Sequence, residues 1–411
     1  MLINLPNEAQ LLLCCAFSEM DEETTREAKS LLENPLDWPM VLEVARGQGI
    51  SAILYRNLKR VDDGGKVPEV YFKDLQMSYF RTAIYNIQLR EAAGEVLKAL
   101  ESRGIKVIVL KGLALSETVY KNVAVRPMSD VDLLVHKQDI GAVSEIFFRS
   151  GYVYNFKDKL FGNALSTEEI LSFTRSGNAI NFQSDKGHTF DVHWELTSLQ
   201  DRFKIDLEEI WANSVPGKIA GIDVLLMSPT DQLLYLCINA ARNLYFPLTC
   251  LCDITAVIKL YERQINWDYI TKNASKWLAK NAAYYALFLT KHLLGASIPE
   301  SVLDEISPKG FTGLVFKFGK EDILYRKNNL MEGTCLPLIR LVLRDRFRDR
   351  VTVFLSIFTS WSSLVKISCS QMSKIPIIRW LINPFRLLIK GIIALLLLLW
   401  RVTVKQKELA R

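Results

Sequence analysis

The chain has 411 residues, of which 49% are hydrophobic and 23% charged. That is the composition of a folded globular protein with room for two or three cores, and it excludes a disordered or low-complexity chain. A net charge of +6 is too mild at this length to argue by itself for nucleic acid, and the basic excess gathers toward the C-terminal end.

Seven cysteines, among them Cys14 beside Cys15 and the pair Cys250 and Cys252, show neither C-x-x-C spacing nor an even framework. They read as reduced, buried small hydrophobes. Residues 1–10 carry no basic n-region and no cleavage site, so the expected address is the cytoplasm, or the inner face of a membrane as a peripheral protein.

Residues 1–96 show apolar positions at helical spacing, as in Leu11, Leu12, Cys15 and Ala16, then Val41, Val44 and Ala45, then Leu89, Ala93 and Val96, which predicts a helical N-terminal region. The pattern changes to β at 105–110, followed by a predicted helix over 113–121, a second strand at 131–135 and a helix over 139–149. A hairpin is expected next, 179–183 paired with 189–194, because Ser184-Asp185-Lys186-Gly187 supplies turn chemistry. From Pro229 onward the chain reads as helical, with starts at Thr230 and Pro299 and a stop at Gly295. The predicted organisation is a helical region (1–96), a small mixed α+β sheet domain (97–215), a helical domain (216–330) and a basic, amphipathic tail (331–411).

The sheet carries the chemistry. Asp130 and Asp132 flank Val131 on a run that reads as a buried strand, where alternation projects both carboxylates from one face. Two like charges buried side by side call for a compensating cation, and Mg²⁺ is the oxygen-liking candidate. Asp191 shares a face with His193 on the later strand, so a third carboxylate can reach the first two, although Glu195 or Asp185 could serve instead. Three carboxylates on adjacent strands can hold two Mg²⁺ ions, which clamp the attacking and leaving oxygens of an in-line phosphoryl displacement. Lys111-Gly112 sits where the first strand gives way to a helix, which suits backbone approach to a phosphate. Lys111 and Arg126 add charge there, and Ser129 adjoins the acids. His193 beside Trp194 reads as packed at least as often as phosphate-binding. His136, His188 and His292 have no metal-ligand spacing and read as structural or exposed, while Tyr120 reads as the cap of a core.

The run Lys111-Gly112-Leu113-Ala114, then Tyr120, Arg126, Ser129-Asp130-Val131-Asp132-Leu133-Leu134-Val135 and Phe190-Asp191-Val192-His193-Trp194 resembles the uncharacterised bacterial nucleotidyltransferase family of the DNA polymerase beta-like superfamily. The resemblance extends to the lead-in 44–50, the helix 86–100, Leu251-Cys252-Asp253-Ile254 and Asn266-Trp267-Asp268. It implies a polymerase beta-like mixed sheet flanked by helices, with Asp130 and Asp132 as paired metal ligands and Asp191 as the third. Two departures stand out. The usual Gly-Ser after the first strand is Lys-Gly here, as elsewhere in this family, and a position where members often carry His is Asn239.

The expected activity is Mg²⁺-dependent transfer of a nucleoside monophosphate from an NTP to a hydroxyl-type acceptor, with pyrophosphate released. Lys111, Gly112, Arg126 and Ser129 are expected to hold the triphosphate. The acceptor is a peptide from a modification pathway, a small molecule or RNA, since fold does not select among them. The alternative is a non-catalytic scaffold of a peptide-modifying or membrane-associated complex. A tRNA-directed transferase ranks lower, because it needs a basic groove near the acids.

The C-terminal part divides in two. Arg340, Arg344, Arg346, Arg348 and Arg350, interleaved with Asp345 and Asp349, predict a charged helix; mixed-sign runs are usually solvated and internally paired, and nucleic-acid contact is the lesser reading. Within 376–404, the apolar run 391–400 is too short to cross about 30 Å of hydrocarbon. Trp380, Trp400 and the flanking cations favour a helix in the headgroup region over a packed helix, and either over a span of 387–404.

Overall fold

The computed structural model describes residues 5–156, 159–161, 166–308, 343–346 and 349–350. The expected membrane-surface segment 376–404, together with Arg340 and Arg348, lies outside the described residues. Among those described, no helix is long and apolar enough to cross a membrane.

Helices α1 (Asn7–Cys14), α2 (Glu22–Leu32), α3 (Trp38–Gly47) and α4 (Ser51–Val61) precede the 34-residue α5 (Glu69–Ser102). The sheet region follows as β1 (Val107–Val109), α6 (Lys111–Leu115) with a π-helical turn at Ser116–Tyr120, β2 (Val131–Val135), α7 (Ile140–Arg149), β3 (Tyr152–Phe156), β4 (Lys159–Phe161), α8 (Thr167–Ser176), β5 (Ala179–Ser184), β6 (Thr189–His193), α9 (Leu207–Asn213), β7 (Val215–Ile219) and β8 (Ile222–Leu226). Helices α10 (Pro229–Arg242), α11 (Thr249–Tyr261), α12 (Trp267–Lys276), α13 (Lys280–Leu294) and α14 (Glu300–Ile306) complete it. Local chemistry sets several boundaries. Asp21, Ser228 and Asn266 cap α2, α10 and α12 by accepting Thr24, Asp231 and Tyr269 backbone N–H groups. Gly295, at φ +62°, ends α13.

The strands form one mixed sheet in the order β4-β3-β5-β6-β2-β1-β8-β7. The pairs β2/β6 and β1/β8 are parallel, and the others antiparallel. Alternation sorts the central strands into two faces. Val107, Val109, Val131, Leu133, Val135, Phe190 and Val192 pack with Leu89, Val96 and Leu97 of α5 and Val143 and Phe147 of α7. Ile108 and Leu134 point the other way, into a second core. That core joins α1–α4 to α10–α14, so the two flanking helical regions are one body. The fully buried Gln48 ties them directly, its Oε1 accepting Leu248 N–H at 2.7 Å.

Two boundaries differ from expectation. The hairpin β7–β8 falls almost entirely in the stretch expected to be a helical domain (216–330) and adds to the sheet beside β1; β7 carries Pro216 and Gly217 and pairs on one side only, where such residues are tolerated. The described part of the charged run, placed in the tail, packs on the helical body. Leu343 is buried, and Asp345 accepts the Lys280 and Asn281 backbone N–H groups at 2.7 and 2.8 Å, capping the start of α13. Arg350 Nε donates to the Arg344 carbonyl at 2.7 Å, and the Arg344 guanidinium lies 5.2 Å from the Phe203 ring centre.

Candidate active site

The parallel register of β2 and β6 sets Asp132 beside Asp191 and Leu134 beside His193. The side chains of Asp132, Asp191 and His193 therefore project on the face that looks toward α10 and α11. Their ligand atoms lie within 4.8 Å of one another, a spacing that fits one divalent ion held by two carboxylates and an imidazole. Asn181, the cross-strand neighbour of Asp191 on β5, donates Nδ2 to Asp191 Oδ1 at 2.7 Å and orients it.

Asp132 is the charge centre. Its Oδ1 receives Lys111 Nζ at 2.7 Å and His193 Nε2 at 2.9 Å. Burial alone would raise its pKa, but Lys111 and His193 outweigh it and hold the carboxyl well below the usual range. Burial likewise opposes the Lys111 charge, and Tyr235 and Asp132 together keep its pKa above the ordinary value. Lys111 opens α6 at φ +38°, and its Nζ lies 5.9 Å from the ring centre of the buried Tyr235 on α10. His193 Nδ1 is buried without a hydrogen-bond partner among the described residues.

Asp130 stands apart from the close group. It precedes the first residue of β2, so strand alternation does not fix its side chain, which is half-buried at the rim with Ser129 Oγ donating to it at 3.0 Å. Burial raises its pKa, and repulsion from Asp132 and Asp191 adds to that. The structure thus gathers Asp132, Asp191 and His193 most tightly, with Asp130 alongside, whereas the sequence favoured the three aspartates.

The segment carrying Asp130 is held from two helices. Asn86 of α5 donates to the Val123 and Arg126 carbonyls at 2.6 and 2.8 Å, and Tyr85 OH donates to the Ser129 carbonyl at 3.0 Å. Arg126 makes a two-point contact with Asp253 of α11, at 2.8 Å through Nε and 2.7 Å through Nη2, and Tyr120 OH donates to the same carboxylate at 2.9 Å. The Arg126 guanidinium, expected on phosphate, is thereby committed to Asp253; its Nη1 lies beside Gly112, where a Cβ would come within 3.0 Å of it. Asp253 and Asn181 had no legible role in the sequence, because each acts through a partner set by register or tertiary packing. The period-2 pattern placed His193 on the acidic face, and that was its signal.

The chain belongs to a family of uncharacterised nucleotidyltransferases, whose model matches residues 34–295. That span covers the complete sheet, the Asp132 cluster and the Arg126–Asp253 contact. No curated protein and no solved structure matches the chain. The protein is a nucleotidyltransferase, an enzyme on an α+β fold.

Proposed function

We propose that the protein transfers a nucleoside monophosphate from an NTP to a hydroxyl-type acceptor. The observation that carries this reading is the Asp132, Asp191 and His193 group on adjacent strands, with Asp130 beside it, inside the span of the family match. Asp130, Asp132 and Asp191, with His193 beside them, would hold Mg²⁺, which when bound would supply charge neutralisation at the triphosphate and acidify the acceptor hydroxyl. The acceptor oxygen forms its bond to the α-phosphorus as the α–β bridging bond breaks, and pyrophosphate leaves with that bridging oxygen. Asp191, oriented by Asn181, takes the acceptor proton. Lys111, Gly112, Ser129 and the Nη1 edge of Arg126 hold the triphosphate. A peptide, a small molecule or an RNA can supply the hydroxyl.

The test is calorimetric titration of Mg²⁺ with each of the four NTPs into the protein and into an Asp130→Asn, Asp191→Asn double variant. Metal-dependent binding of a nucleotide that disappears in the variant supports the reading. Equal binding by both proteins, or binding indifferent to metal, overturns it.

A further inference from the structure

The long helix α5 buries one side, through Leu75, Asn86, Leu89, Ala93 and Val96, and leaves an apolar stripe on the other. Val70, Met77, Phe80, Ile84 and Ile87 are 67, 51, 49, 59 and 44% exposed. Helix surfaces facing water are ordinarily polar, and contiguous apolar patches mark contact sites. The spacing from Met77 to Ile87 alternates three and four residues, the heptad seam by which one helix packs against another of its own kind.

We infer that this stripe is a self-association surface on which α5 pairs with α5 of a second copy, antiparallel, about a two-fold axis passing beside Thr82. The charges next to the apolar layers fit this occupant and this register, and the like-charged Glu69 and Glu95 meet only one turn farther out. With the axis at Thr82, Met77 faces Ile87 of the second copy, Phe80 faces Ile84, and the exposed Lys73 faces the exposed Glu91. Symmetry doubles each pair, giving four apolar layers closed at either end by an ion pair of opposite sign. Among the described residues Lys73 pairs with the exposed Glu69 of its own chain, at 2.6 Å, an i,i+4 contact that is readily exchanged. From Lys73 to Glu91 the seam runs about 27 Å at 1.5 Å per residue. Isologous contacts of this kind are the commonest way a soluble chain forms a dimer. Tyr85 and Asn86, which fasten the segment before Asp130, lie within the same stretch of helix, so pairing would add support to the helix that holds that segment.

Sedimentation velocity on the full chain tests this, in buffer and in mild non-ionic detergent. The expected result is a two-chain mass for the parent protein in both, and a one-chain mass for Phe80→Asp and for Ile84→Asp with unchanged far-ultraviolet circular dichroism. Lys73→Glu sets like charges opposite each other and weakens association roughly tenfold, while Lys73→Glu combined with Glu91→Lys restores it. A one-chain mass for the parent overturns the proposal, as does a dimer that survives both aspartate variants. A charge swap that fails to restore association overturns the antiparallel register.

Discussion

Lys111 Nζ donates to Asp132 Oδ1 at 2.7 Å, with both side chains largely withdrawn from water. The ammonium therefore neutralises the same carboxylate that the proposed reaction assigns to a metal ion, and the two cations compete for it. Replacing Lys111 with Met keeps the stem and removes the competitor. Lys111→Met is expected to bind Mn²⁺ about tenfold more tightly in the absence of nucleotide, a difference of about 1.4 kcal/mol, and to bind NTP more weakly. Titration followed by electron paramagnetic resonance of free Mn²⁺ reads the first effect; unchanged or weaker metal binding would sink the idea of competition.

The paired acids respond oppositely to neutralisation in metal-free protein. Asp130 has a raised pKa through burial and its acidic neighbours, so its charge costs stability, and Asp130→Asn is expected to raise the urea midpoint. Asp132→Asn instead leaves the buried Lys111 without its partner and should destabilise toward the lower end of about 3–5 kcal/mol, since Asp130 partly substitutes. Neutralising Asp130 relieves repulsion, whereas neutralising Asp132 removes an attraction.

Acid sensitivity follows from Asp132. Its folded pKa is lowered, so its contribution is present above the ordinary aspartate value of about 3.9 and is lost as pH falls below that value toward the folded one. Urea unfolding measured between neutral pH and the acid limit should show a component of decline below about pH 4 in the parent protein. Asp132→Asn should lack that component.

Asp253 meets the Arg126 guanidinium through both oxygens, and their side chains are 4 and 14% exposed. Breaking such a pair from one side is costly, whereas replacing both partners by apolar groups is often close to neutral. Asp253→Asn is expected to lose about 3–5 kcal/mol, and Arg126→Met added to it should recover much of that. A double-mutant cycle in urea measures the coupling, and simple additivity of the two changes contradicts it.

Gly112 faces Arg126 Nη1 at 3.0 Å and Met128 Sδ at 3.3 Å from an added methyl. Arg126 is anchored on Asp253 and cannot readily yield, so Gly112→Ala should cost about 1–3 kcal/mol by overpacking. If the same variant is made in Arg126→Lys, whose shorter terminus leaves the space, the penalty should shrink. Thermal denaturation of the two pairs decides.

Much of this architecture was legible from local pattern. Strand β2 lies where 131–135 predicts it, α7 within one residue of prediction, and the hairpin β5–β6 nearly so, because period-2 alternation and a glycine turn are signals carried within a few residues. The placement of Asp191 and His193 on one face followed from the same alternation. What escaped was set by pairing across distance. The parallel contact of β2 with β6 decides which acid meets which, the hairpin β7–β8 was disguised by Pro216 and Gly217, and Asp253 reaches Arg126 from a helix 127 residues later in the chain. Asp130 missed the tight group because the strand starts one residue after it, and a boundary to that precision is beyond what residue pattern fixes.

Asp345, closing the first turn of α13 from beyond residue 308, dictates where the polypeptide can be shortened. A chain stopped at 295, where the family match ends, or at 330, where composition places a border, would expose two backbone amides and the seat of Leu343 to solvent. Deletion of the apolar C-terminal stretch for expression should therefore keep everything through 350, so that the helix retains the carboxylate that begins it.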